Sequence, residues 1–106
     1  MLGVPLQLLK SMNIIQLREH REEILELARK YHSNNIRVFG SVARGEATED
    51  SDVDLLIDFT PEQDLFDFIR FTRSLKELLG CNVDVAHESA LHHSIKEQIL
   101  SEAIPL

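Results

Sequence analysis

The spacing of hydrophobic positions changes along the chain, and each change marks an element. Over 13–31 the apolar residues Leu17, Ile24, Leu27, Ala28 and Tyr31 recur near helical spacing, with Glu19, Arg21, Glu22, Glu23 and Arg29 set between them. That pattern predicts an amphipathic helix, with Asn13 as its cap. The His32-Ser33-Asn34-Asn35 stretch has turn chemistry and stops it. A short apolar run at 36–39 predicts a strand ending at Gly40; 41–45 reads as a short helical turn and 46–51 as an acidic loop. Val53, Leu55 and Ile57 then alternate with Asp54, Leu56 and Asp58. The middle of that run is apolar on both faces, which predicts a central strand over 53–59. Thr60-Pro61 breaks it. Helical spacing returns over 64–79, with Leu65, Phe68, Ile69, Leu75, Leu78 and Leu79 as the stripe and Gly80 as the stop. A third strand is predicted at 81–86, with Asp84 between Val83 and Val85, and a third helix at 91–102 with Ile95, Ile99 and Leu100 inward. Residues 104–106 form a short apolar tail, and 1–11, which contain Gly3 and Pro5, read as an irregular or partner-docked arm. The order of elements predicts a small α/β (α+β) mixed sheet with helices packed on one face.

Composition narrows this picture. A chain of 106 residues, 43% hydrophobic, is expected to form one domain over 1–106 with a real core. Asp plus Glu number 18 against 11 Lys plus Arg, for a net charge of -7. That balance argues against direct binding of a nucleic-acid polymer, which wants a basic face. It suits a protein that takes a metal-bound nucleotide or docks on a basic partner. Cys81 is the only cysteine, so a reducing, cytoplasmic setting is expected. No apolar run approaches the roughly 20 residues of a membrane helix. The first ten residues lack a basic start and a small-residue cleavage site, so they are not read as a signal peptide.

The candidate chemistry lies between 38 and 59. Asp52 and Asp54 stand two apart at the mouth of an apolar strand, so their carboxylates point the same way. Carboxylates are depleted in strands and are rarely buried without a counter-charge. A divalent cation is the simplest one. If the third strand pairs beside the second, Asp84 joins the same face. Hard oxygen ligands of this kind suit Mg²⁺, and a pair of such ions about 3.5–4 Å apart can clamp an in-line phosphoryl displacement. Upstream, Gly40 lets backbone approach a phosphate, and the amides of the following turn together with the Ser41 hydroxyl can hold a triphosphate. Arg44 lies one turn on, within reach of the same phosphates or of a motif carboxylate. No Gly-Lys-Ser/Thr follows, so this is not a Walker loop. Asp58 is in phase with the acids but farther along, and reads as solvated or capping. His87, His92 and His93 have no cysteine or histidine partner at finger spacing. Cys81 reads as a small hydrophobe.

The run Gly40-Ser41-Val42-Ala43-Arg44-Gly45, five further residues, then Ser51-Asp52-Val53-Asp54-Leu55 resembles the signature of the DNA polymerase β-like nucleotidyltransferase superfamily. Within it, the short chain resembles the minimal nucleotidyltransferases, the MntA-like antitoxins paired with HEPN-domain toxins. The resemblance runs from the first helix to the third strand. It implies nucleotide binding at Gly40 and Ser41, with Arg44 and Ser51 in the same motif. It implies metal and catalytic roles for Asp52, Asp54 and Asp84, the last as acceptor of the attacking hydroxyl's proton. It further implies Mg²⁺-dependent transfer of AMP from ATP to a tyrosine hydroxyl of the toxin, which silences its RNase activity. A binding-only antitoxin that neutralises by complex formation is the alternative. The catalytic core takes up nearly the whole chain, so the acceptor surface is expected from a protein partner, docked through 1–9 or 104–106.

Overall fold

The structure is a computed structural model and describes residues 12–106. The arm at 1–11 lies outside the described residues. Helix α1 (Ile14–Glu19) is capped by Asn13, whose side-chain oxygen accepts the Gln16 N–H at 2.8 Å while Gln16 accepts the Asn13 N–H at 3.1 Å. This reciprocal box satisfies two amides that a helix start leaves free. The single helix expected over 13–31 is in fact two. His20 breaks the run, and α2 (Arg21–Lys30) continues it. Leu17, Ile24 and Ala28, seven and eleven apart, stay on one face across the break and all reach the core.

Strand β1 (Ser33–Phe39) starts earlier than the apolar run alone suggested. His32 and Asn35 do have positive φ, 63° and 51°, as turn residues would. The strand absorbs Asn35 as an irregularity, since Asn34 pairs with Asp58 but Arg37 pairs with Leu56. Three steps on one strand against two on the other make a bulge, and asparagine tolerates the left-handed conformation it needs. A short helix, α3 (Gly40–Arg44), follows, and then β2 (Val53–Phe59). Helix α4 (Leu65–Leu79) carries a capping box between Asp64 and Asp67 and ends at Gly80, whose φ is 67°. Strand β3 (Val83–His87) leads through a 3-10 turn, Glu88–Ala90, to α5 (His93–Glu102).

The tail at 104–106 is no free docking segment. Ile104–Pro105 forms a fourth strand, β4, that pairs antiparallel with β1. Leu106 is buried, and its N–H donates to the Ile36 carbonyl at 3.1 Å. Arg18 holds the same segment by donating to the Pro105 carbonyl at 2.9 Å and the Leu106 carbonyl at 3.3 Å. The apolar tail therefore closes the core. Sheet order is β3-β2-β1-β4, with β2 parallel to β3 and antiparallel to β1, so β2 is interior as its two-sided apolar middle required.

Alternation splits the sheet into two faces. Ile36, Val38, Val53, Leu55, Ile57, Val83 and Val85 pack with Leu17, Ile24, Ala28, Val42, Phe71 and Leu75 in one buried cluster. Helix α4 meets it along Phe71, Leu75 and Leu79, so Leu65 and Ile69, expected in the stripe, are instead 68% and 42% exposed. Helix α5 buries no residue, and Ile95 and Leu100, expected inward, face solvent. The other sheet face carries Arg37, Asp54, Asp58 and Asp84. Asp58 is not simply solvated there. Arg37 donates to it at 3.1 Å and also pairs with Glu88, while Asn35 donates to its other oxygen at 2.9 Å. No helix among the described residues is long and apolar enough to cross a membrane.

Candidate active site

Sheet register builds one corner out of three strands. Antiparallel pairing sets the end of β1 beside the start of β2, with Phe39 opposite Asp54. Parallel pairing sets the start of β3 beside the start of β2, with Asp54 opposite Asp84. Residues directly opposite share a face, so Asp54 and Asp84 project together on the side away from the apolar core. Asp52, exposed and two residues ahead of Asp54, adds its charge to the same spot. The three acids singled out in the sequence are thus brought together.

Gly40 closes the corner from the other side. Its φ is +73°, and a Cβ built on it would fall 2.2 Å from the Asp54 Oδ2. Backbone and carboxylate touch, so no other residue fits without displacing Asp54. Ser41 and Val42 follow in the first turn of α3, and Gly45 ends that helix in the left-handed region.

The electrostatics of the corner are one-sided. Asp54 is half-buried, and its pKa is pushed from 3.8 up to about 6. Burial is the largest cause, followed by the negative charges of Asp84 and Asp52; Arg44 opposes them, and Glu102 adds to them. Like charges converge here with too little positive charge to balance them. A cation fits that deficit, and the donors are all hard carboxylate oxygens of the kind that suits Mg²⁺. Among the described residues no three acidic, histidine or cysteine side chains converge tightly enough to cage an ion unaided.

Two sequence candidates are engaged in ways the motif does not reveal. The Arg44 Nε donates to Glu46 at 2.9 Å, and one terminal nitrogen lies 3.3 Å from both oxygens of Glu102. The hydrogen bond to Glu46 is the largest cause that raises the Arg44 pKa. Ser51 closes the loop ahead of β2: its hydroxyl accepts the Thr48 N–H at 2.9 Å, and its own N–H donates to the Thr48 carbonyl at 3.0 Å. Sequence reasoning missed Glu102. Its Oε1 accepts the Gly40 N–H at 3.0 Å, across a separation in sequence that no local motif spans.

The other candidates fall elsewhere. His87 lies at the far end of β3 between the rings of Phe59 and Phe68, with centroids 4.5 and 4.6 Å away. Its Nε2 is 3.0 Å from Gln63 Oε1, and burial lowers its pKa. His92 stacks on His93 and caps α5. Cys81 is partly buried against the core, and burial raises its pKa. A groove of about 720 Å³ between α2 and α4 shares no residue with the acid corner. Its rim of Glu22, Glu23, Glu26 and Glu77 would repel a triphosphate.

Comparison with known proteins shows the family and the fold. Residues 17–106 match the nucleotidyltransferase domain family. The protein adenylyltransferase MntA of Thermococcus cleftensis is 41% identical over 88 residues, which cover 83% of this chain and 86% of that protein. The solved structure of a proposed minimal nucleotidyltransferase superposes with a TM-score of 0.81 at 47% identity, covering 90% of this chain and 97% of that one. A toxin–antitoxin structure with AMP-PNP shares the fold at a TM-score of 0.67 and 20% identity, covering 79% of this chain and 69% of that one.

Proposed function

Because the chain belongs to the nucleotidyltransferase domain family, we propose that it moves AMP from ATP onto a tyrosine hydroxyl of a cognate HEPN-domain RNase toxin, acting in the cytoplasm as a single minimal catalytic domain and silencing its partner as an antitoxin. The observation that carries the chemical part is the face-sharing of Asp54 and Asp84 beside Gly40. The protein acceptor is supported by kinship with a protein adenylyltransferase. The toxin partner is supported by the motif's resemblance to MntA-like antitoxins; the toxin–antitoxin neighbour lends the fold alone.

In this reading the Gly40 turn and the Ser41 hydroxyl bind the triphosphate, with Arg44 beside them. Ser51 orders the loop that delivers Asp52. Asp52, Asp54 and Asp84 would hold Mg²⁺, which supplies charge neutralisation on the phosphates. The tyrosine oxygen attacks the α-phosphorus, the bond to the β-phosphate bridging oxygen breaks, and pyrophosphate leaves. Asp84, the more exposed member of the strand pair, takes the hydroxyl proton.

The test is to incubate the protein with α-labelled ATP, Mg²⁺ and the toxin encoded beside it. Label should appear on a toxin tyrosine and disappear in the Asp52→Asn plus Asp54→Asn variant. Label that persists in that variant sinks the mechanism. Full protection of cells by the unlabelling variant would instead favour neutralisation by binding alone.

A further inference from the structure

Glu102 belongs to no motif, yet it makes the contacts expected of a substrate oxygen. Its carboxylate takes the Gly40 N–H at 3.0 Å and lies 3.3 Å, through both oxygens, from the Arg44 guanidinium. An amide and a guanidinium on one anionic group is how proteins hold phosphate. The side chain is only 21% exposed, although the helix that bears it buries no residue. Its backbone has little freedom. Two residues on, Ile104 pairs with Val38 of β1, and Leu106 is anchored on Ile36. The carboxylate can therefore leave the corner by rotating its own side chain while the helix end stays in place.

We propose that Glu102 stands in for the triphosphate, holding the Gly40 amide and Arg44 until ATP displaces it, and that it thereby sets the enzyme's affinity for nucleotide. The inference rests on Gly40 and Arg44 being the phosphate-binding residues. A permanent strut is the competing role. It is disfavoured by charge: with Glu102 in place, a triphosphate would face four carboxylates, and the one guanidinium nearby would be bound to Glu46 and Glu102. Displacement returns Arg44 to the ligand and moves one negative charge toward solvent.

The experiment is calorimetric titration of Mg²⁺ with AMP-PNP, with inorganic triphosphate and with adenosine, into the wild-type protein, Glu102→Gln and Glu102→Ala. Glu102→Gln keeps an oxygen for the Gly40 N–H but gives up the charge on Arg44. Release of one partly exposed ion pair should tighten AMP-PNP and triphosphate by about fivefold in both variants, with adenosine unchanged. Melting curves on the same samples check that each variant is folded, and a strut would weaken every ligand, adenosine included. Equal or weaker triphosphate binding by the two variants overturns the inference while leaving the nucleotide site intact. Absence of nucleotide binding by all three proteins overturns the site itself, and the inference with it.

Discussion

Replacing Asp54 by asparagine should make the isolated protein more stable at neutral pH while destroying transfer. The folded state raises the Asp54 pKa from 3.8 to about 6, so folding works against its negative charge. A raised acid pKa means that the native state binds more protons than the unfolded one between those values. The penalty from this one group therefore builds as pH rises through that window and is complete above about 6. Taken whole, the span corresponds to about 3 kcal/mol. Asp54 is only half-buried, however, and solvent screening reduces this to about 1 kcal/mol. Asparagine has the same shape and no charge, so Asp54→Asn should gain about 1 kcal/mol at pH 8, or about 4 °C in melting temperature for a chain of this size. Urea unfolding in a metal chelator, followed by circular dichroism at pH 8, 6 and 4, reads this directly. The advantage should shrink through pH 6 and vanish near pH 4. A variant less stable than wild type at pH 8, or an advantage independent of pH, would refute the view that three carboxylates repel one another in the metal-free protein.

Further outcomes follow from single contacts. Gly40→Ala forces a β-carbon against the Asp54 carboxylate at a positive φ. It should cost about 1–2 kcal/mol in thermal unfolding, and transfer from labelled ATP should fall far more than stability does, because the displaced atom is a candidate ligand. Leu106→Ala should destabilise the fold by about 2–3 kcal/mol, since that side chain is 8% exposed; a shift within error in urea unfolding would restore the tail to the role of a free docking segment. Arg37→Met leaves Asp58 and Glu88 without their cation. It should cost about 1 kcal/mol and leave nucleotide affinity unchanged in calorimetry, because the network sits at the other end of β2 from the acid corner.

The sheet was legible where one periodicity ruled. Val53, Leu55 and Ile57 announce β2 because they alternate with Asp54 and Asp58, and the apolar Leu56 between them marks the strand as interior; all four apolar side chains are buried. The helices were legible in extent but not in face. Leu65 and Ile69 lie at helical spacing from Leu79's stripe, yet the seam runs through Phe71 and Leu75. A wide apolar stripe leaves its own centre undetermined, and only the position of the sheet decides it. His20 hid a helix break because nothing local forbids helix there, and Leu17 and Ile24, seven apart, lie on one face whether or not the helix is continuous. The tail at 104–106 misled because three apolar residues look alike whether they meet a partner or their own first strand.

The acid corner was more legible than the core, and the reason bears on how such a site can be lost. Each acid sits at a strand start, and its direction follows from apolar neighbours on either side. Asp84 faces Asp54 because Val83 and Val85 point into the core opposite Val53 and Leu55. A slip of one residue between β2 and β3 would turn Val83 and Val85 outward and send Asp84 to the apolar face. Burial of those valines therefore opposes the very slip that would dismantle the cluster, and the hydrophobic core holds the carboxylates against their mutual repulsion. Glu102 has no such guide. It acts through a reach across the fold to the Gly40 amide, and reach is decided by where β4 anchors the end of α5. The readable part of the site is thus the part whose geometry is imposed by alternation within a strand, and the unreadable part is the part imposed by where one element ends against another.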